Sequence, residues 1–346
     1  MKRRKLLWGG LAVLGICSSA VLFAVNFQLY QVTSSDFQRV YWPSSTITWK
    51  LNPTASNLDT TSGVTLVNSL TDAFTRWQSA QYQSTQVNTL AFTQGADSTL
   101  TAPAVDCHNV IGFTETSGFA SGIIAYTAVT TVGSSTFPFQ YSGGTCTGTC
   151  PNTACIIDAD IQFNPANTFA TGGTPASGEY DLQSVATHEV GHLIGLDHSG
   201  IAGAVMYPYG DTSSFGVQRT LWVDDMIGSG VLYENSALLP LVGGVKGQVM
   251  VGGSPAFGAH VVAIDSTTGN AITDTLTDNE GNYHLRMVSG TYHILVLPLG
   301  TSTSGTTANS PYTITNFHGF ACGYSTNFPT CTDVPANPTN YTGKFY

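Results

Sequence analysis

The chain has 346 residues, with 21 acidic and 11 basic side chains and a formal net charge of −10. Four of the basic residues are Lys2, Arg3, Arg4 and Lys5, which leaves 7 basic against 21 acidic groups beyond residue 25 and excludes a nucleic-acid surface. At 42% hydrophobic and 9% charged, the sequence is too apolar and too weakly charged for a disordered chain, and its length suits two domains.

The basic start leads into Leu6 to Val25, an uncharged and mostly apolar run with the layout of a secretory signal. Residues 1–25 are read as a signal peptide, with Ser18, Ser19 and Ala20 as small residues for cleavage, or as an uncleaved membrane anchor, since about 20 apolar residues span a bilayer. The chain is expected to be secreted or held in the cell envelope. Setting Cys17 aside in that segment leaves Cys107, Cys146, Cys150, Cys155, Cys322 and Cys331, an even set that an oxidising compartment would pair. Cys322 is expected to pair with Cys331, and Cys107 to share two bridges with Cys146, Cys150 and Cys155.

From Arg39 one strand, VYWPSSTITWKL, is predicted, followed by a helix with Val64, Val67, Leu70, Phe74 and Trp77 on one face. Short β-type runs follow at Asn109 to Glu115, Gly122 to Val132 and Cys155 to Phe163, with a Gly, Ser and Thr loop between the last two. A second helix is predicted from its N-cap Asp181 to Ile194, with Gly195 as the stop, and a third at about Val223 to Tyr233. Residues 236–244 read as a linker. Beyond it VKGQVMV, AHVVAID, AITDTLTD, NYHLRMV and TYHILVL alternate as the strands of a small sandwich over residues 245–300, and residues 301–346 read as a turn-rich extension with the Cys322 and Cys331 bridge.

The second helix carries His188-Glu189-Val190-Gly191-His192, continuing through Gly195 to His198. Histidines at i and i+4 stand one above the other, so His188 and His192 can reach one ion while Glu189 reaches a water on it. Gly195 can take a left-handed conformation, end the helix and bring His198 back as a third ligand. Three imidazoles leave a fourth tetrahedral position open, as in catalytic rather than structural zinc. Zinc there would lower the pKa of its water towards roughly 7 and polarise a carbonyl, with Glu189 as general base. A chance match to all five residues would arise in roughly one chain of this length in 10⁴ to 10⁵. Met206, in Ala204-Val205-Met206-Tyr207-Pro208, supplies the methionine turn that should follow the extended motif.

Together these motifs resemble the metzincin clan and, within it, the matrixins, whose pattern H-E-x-G-H-x-x-G-L-D-H-S stands here as HEVGHLIGLDHS. The resemblance runs from about residue 37 to 235. It implies an α+β fold, a zincin-like catalytic domain with a twisted mixed sheet and three helices, followed by the small all-β sandwich. It also implies a zinc-dependent endopeptidase acting on extended polypeptides. By the same resemblance His188, His192 and His198 bind zinc, Glu189 is the catalytic base, and Met206 is the turn methionine. Ile124 and Ala125 belong to the edge strand that takes the substrate by β-augmentation, and Pro208 and Tyr209 wall the pocket beyond the cut.

Some positions depart from the family. No histidine lies between His108 and His188, so a second, structural zinc has no ligands. Asp158 and Asp160 are candidate calcium ligands, although Asn164 stands where the family tends to have an acid. A cysteine-switch propeptide is not expected in the short stretch before the first strand. Tyr207 is not expected to be a zinc ligand, and His108, His260, His284 and His293 lack any partner spacing for metal.

The region from Gly247 to Leu297 is similar to the carboxypeptidase regulatory-like domain, through GAHVVA, TDNEGNY and GTY, with Asp278, Gly281, Tyr283 and Tyr292 in turn and core roles. That implies a spacer, stabiliser or binding module without catalysis. The leading expectation is an exported, monomeric zinc endopeptidase. The alternative is a surface adhesion or scaffold protein that keeps the fold as a binding module, for which an intact Glu189 would not be needed.

Overall fold

The computed structural model describes residues 29–298 and 344–345, apart from 34–35, 118, 120, 134–135, 142–143, 152–153, 173–174, 211–216 and 278–279. The N-terminal segment 1–25, Asp278, the Cys322 and Cys331 pair and nearly all of residues 301–346 lie outside the described residues.

The single strand expected after Arg39 is instead two, Asp36–Tyr41 and Thr46–Leu51. Pro43 falls in the bend between them, where a residue without an N–H cannot continue a ladder. Thr46–Leu51 alternates, with Ile47, Trp49 and Leu51 buried. It lies parallel to Ala91–Gln94 on one side and to Asn109–Gly112 on the other. Asn109–Gly112 is in turn parallel to the end of Ala154–Phe163, while the start of that long strand runs parallel to Val40 and Tyr41. The opposite side of Ala154–Phe163 pairs antiparallel with Ala125–Gly133, from Phe163 against Ala125 to Ala154 against Gly133. Ala125–Gly133 has no other strand partner among the described residues, so its outer edge offers an open row of backbone donors and acceptors.

Helix α1 (Leu66–Gln78) begins at Thr65, whose hydroxyl accepts the N–H of Asn68. It buries Leu70, Ala73, Phe74 and Trp77, and Phe74 stacks on Trp49 with ring centroids 4.6 Å apart. Those four residues complete an i, i+3, i+4, i+7 stripe. Val64 and Val67 are therefore not on the buried face as expected: Val64 precedes the helix, and Val67 sits at the stripe's margin, 38% exposed. Helix α2 (Leu182–Leu193) starts at Asp181, which accepts from the N–H of Ser184 at 2.7 Å and is paired with Arg219. Trp77 Nε1 donates to the Thr187 carbonyl at 2.8 Å and fastens α1 to α2. Helix α3 (Val223–Leu232) completes the set. Both α1 and α2 share one core with the sheet, in which each fully buried large side chain contributes about 1.5–3 kcal/mol.

The cysteine-rich loop is a hairpin, Thr136–Tyr141 against Gly144–Thr149. It is fastened by Cys107–Cys146 and Cys150–Cys155, which are two bridges among the four cysteines expected to share them.

The expected linker is short, because Val242–Gln248 is already a strand and pairs antiparallel with Asn282–Val288. A second sheet places His260–Asp265 between Ala271–Leu276 and Tyr292–Leu297, and Lys344–Phe345 adds to its edge. Val261, Ala263 and Val296 from this sheet meet Leu285 and Met287 from the other in a common core, with Tyr283 and Tyr292 packed against it.

Candidate metal centre

Helix α2 ends where its last carbonyls find donors outside the helix. Trp42 Nε1 donates to the Leu193 carbonyl and Tyr233 Oη to that of Ile194, each at 2.7 Å. Gly195 follows at φ +99°, and a Cβ there would stand 2.4 Å from the Val40 carbonyl oxygen, so only glycine turns the chain at this point. The turn carries His198 back to the helix. As the spacing predicts, one ring nitrogen each of His188, His192 and His198 comes together, all within 4.8 Å of one another.

His188 Nδ1 contacts the Val205 carbonyl at 2.7 Å and His192 Nδ1 that of Leu196 at 2.8 Å. An Nδ1–H donated to a carbonyl leaves the Nε2 lone pair for a cation. The Nε2 atoms of His188 and His192 are 3.1 Å apart, and those of His192 and His198 3.3 Å. Burial lowers the imidazole pKa values, to about 4 at His188, to about 3 at His192 with help from His188, and well below the ordinary value at His198. Three neutral imidazoles aiming lone pairs at one point fit a zinc ion by donor type, number and protonation state.

Glu189 is buried beside them, and burial pushes its carboxyl up to about 7 against the opposing hydrogen bond from Thr127. Thr127, on the edge strand, donates its hydroxyl to Glu189 Oε2 at 2.6 Å. Met206 packs beneath the motif: a Cβ on Gly191 would fall 2.1 Å from its sulfur and 2.9 Å from the Trp77 ring. The methionine turn is held from below by Asp225, which accepts the N–H groups of Val205 (2.8 Å) and Met206 (3.1 Å) as well as that of Trp222 (2.7 Å).

Ile124 and Ala125 enter the edge strand under control of Asn164, whose backbone N–H donates to Ile124 O (3.0 Å) and whose Nδ2 donates to Ile123 O (2.7 Å). Pro208 and Tyr209 are half-buried, and a Cβ on the neighbouring Gly210 would lie 2.8 Å from Ile124 Cδ1. Gly210, next to Tyr209, thus stands close to Ile124 at the entry to the edge strand.

Asp158 and Asp160 are not arranged as calcium ligands. Asp160 accepts the N–H groups of Ala104 and Val110, and Asp158 accepts from the turn at Asp106, Cys107 and His108, where Cys107 sits at φ +59°. Both are buried among backbone donors, and burial pushes both carboxyls up, helped by the charge of Asp106 at Asp158 and by that of Asp158 at Asp160. Among the described residues only the three histidines form a cluster of metal-ligand type. Thr127, Asn164 and Asp225 were not singled out as site residues. Only Asp225 carries a local signal, an acid three residues into a helix.

An open edge strand antiparallel to its neighbour, beside a helix presenting two histidines and a buried glutamate with a third histidine returned by the turn after it, defines a metallopeptidase architecture. The matrixin family profile matches residues 41–234, more than half of the chain, and the chain belongs to the matrixin family. It is 35% identical to metalloendoproteinase 1 of Glycine max over 100 residues, 28% of this chain and 32% of that protein. It is 45% identical to karilysin of Tannerella forsythia over 53 residues, 15% of this chain and 10% of that protein. With neutrophil collagenase of Homo sapiens it shares 36% identity over 84 residues, 23% of this chain and 16% of that protein. The chain thus spans a third or less of the length of these relatives.

Proposed function

We propose that this chain is an exported zinc-dependent endopeptidase that cuts extended polypeptides, with His188, His192 and His198 as metal ligands and Glu189 as general base. The observation that carries this reading is the convergence of three neutral imidazoles beside a buried carboxylate, at the foot of an open edge strand. When held there, zinc supplies a Lewis acid for the scissile carbonyl and draws the pKa of a water towards roughly 7. The unpaired edge of Ala125–Gly133 takes the substrate as an added strand, with Ile124 on one wall and Pro208 and Tyr209 on the other. With Oε2 engaged by Thr127, Glu189 Oε1 is left to accept the water's proton and return it to the leaving amine.

Export is supported by the basic and apolar start of the sequence and by two disulfides, which belong to oxidising compartments. The resemblance of the C-terminal β region to the carboxypeptidase regulatory-like domain is supported by its two-sheet arrangement and by Gly281 at φ +76° in the expected turn.

The test is mass-spectrometric profiling of a peptide library digested by the full chain, wild type beside Glu189→Ala, with zinc measured in both. Cleavage by the wild type alone at equal zinc is expected. No cleavage by either protein at equal zinc overturns the peptidase reading and favours a binding module.

A further inference from the structure

The C-terminal β region reaches the metal centre from behind. Its strand Ala271–Leu276 buries Thr273 and Asp274 completely. Asp274 Oδ2 accepts the backbone N–H of Gly200 at 2.9 Å, and its Oδ1 lies 3.4 Å from the Ser199 hydroxyl. His260, diagonal to Asp274 on the adjacent strand and 2% exposed, places Nε2 2.6 Å from the same Oδ2. Gly200 is where the two regions interlock: a Cβ there would stand 2.4 Å from Asp274 Oδ2 and 2.7 Å from His260 Cε1.

The segment gripped in this way is the one that follows His198. Ser199, 1% exposed, donates its N–H to the Met206 carbonyl at 2.7 Å, so it joins the third histidine to the methionine turn. From the other side Asp224 of α3 faces Ser199, Thr273 and Asp274, and burial followed by the charge of Asp274 pushes its carboxyl well up. The approach is held by further contacts: Trp222 Nε1 donates to the Ala271 carbonyl at 3.0 Å, and Ile227 and Val231 of α3 form an apolar cluster with Val288 and Ile272. Within the loop the bonds are local, from the Ile201 N–H to the Ser199 hydroxyl at 3.2 Å and from the Ala204 N–H to the Ile201 carbonyl at 2.9 Å. A buried network from the second region adds anchoring from outside the loop.

We propose that Asp274, together with His260, is a positioning pair for the zinc centre, holding Ser199 and Gly200 so that His198 stays in ligand geometry. The β region is thereby part of the metal site's support, a role that rests on the zinc reading above.

The test follows zinc leaving the full chain into excess chelator, for the wild type, Asp274→Asn, Gly200→Ala and the exposed control His293→Ala. Removing an outer partner of a metal ligand costs about tenfold to a hundredfold in metal affinity, so release at least about tenfold faster is expected from Asp274→Asn and Gly200→Ala, and wild-type release from His293→Ala. Hydrogen exchange of the wild type, zinc-loaded against chelated, needs no variant to fold. Coupling is reciprocal, so zinc must slow exchange in residues 271–276. Equal release from all four proteins, or no zinc effect on 271–276, overturns the positioning role while leaving zinc binding intact. A wild type that takes up no zinc overturns the metal reading and this inference with it.

Discussion

The Thr127 hydroxyl donates to Glu189 Oε2 across 2.6 Å, so the edge strand that would seat a substrate also steadies the carboxylate that would move the proton. One hydrogen bond to a charged group contributes about 1.5–3 kcal/mol, and about 1.4 kcal/mol is tenfold in rate. Thr127→Val should lower kcat by about tenfold to a hundredfold with KM and bound zinc unchanged, and Thr127→Ser should restore it. Steady-state kinetics on a single peptide decides this; equal kcat in all three proteins would show that the bond does not serve the reaction.

Asp225 gives the fold a pH dependence whose sign can be worked out. Burial raises its carboxyl from the ordinary 3.8 to about 6, against three amide donors that lower it. The folded chain therefore holds this proton more tightly than the unfolded one. The stability due to this group is full below about pH 4 and is lost as pH rises through about 6. At 1.36 kcal/mol per unit the loss is about 3 kcal/mol. Urea unfolding of the wild type and Asp225→Asn between pH 4 and 7 should show the decline in the wild type and a flatter curve in the variant.

The two disulfides should differ in what they contribute. Cys107–Cys146 closes a separation of 39 residues and Cys150–Cys155 one of 5. Chain entropy assigns them about 4 and about 2 kcal/mol respectively. Replacing Cys107 and Cys146 together by Ser should lower the denaturant midpoint clearly more than replacing Cys150 and Cys155. The reverse order would mean that native-state contacts of the hairpin, rather than loop closure, set the balance.

Gly195→Ala joins two penalties, a left-handed backbone and a Cβ 2.4 Å from the Val40 carbonyl oxygen. A destabilisation of about 2–4 kcal/mol is expected. Because the turn also delivers His198, the folded variant should retain less zinc after dialysis than the wild type. A variant with wild-type melting temperature and zinc content would show that the turn accommodates a side chain.

The histidine cluster was legible because helical spacing is local: Asp181, His188, His192 and Gly195 act within a few turns, where period and capping chemistry govern. The strand expected to cross Pro43 and the outward Val67 show where such reading fails. The first missed a single absent donor, and the second counted an apolar side chain at the margin of a stripe as part of it. Thr127 and Glu189 are 62 residues apart, and Ser199 and Asp274 are 75. No periodicity reports such pairs, because they depend on sheet register and on how two regions pack.

The edge strand Ala125–Gly133 lies wholly inside the covalent loop closed by Cys107 and Cys146. A peptidase that accidentally nicks its own rim anywhere within that loop keeps both pieces tethered, and the strand with them. Self-inflicted damage along this open edge would thus leave the molecule in one part until it met a reductant, and an ordinary size measurement under oxidising conditions would pass it as intact.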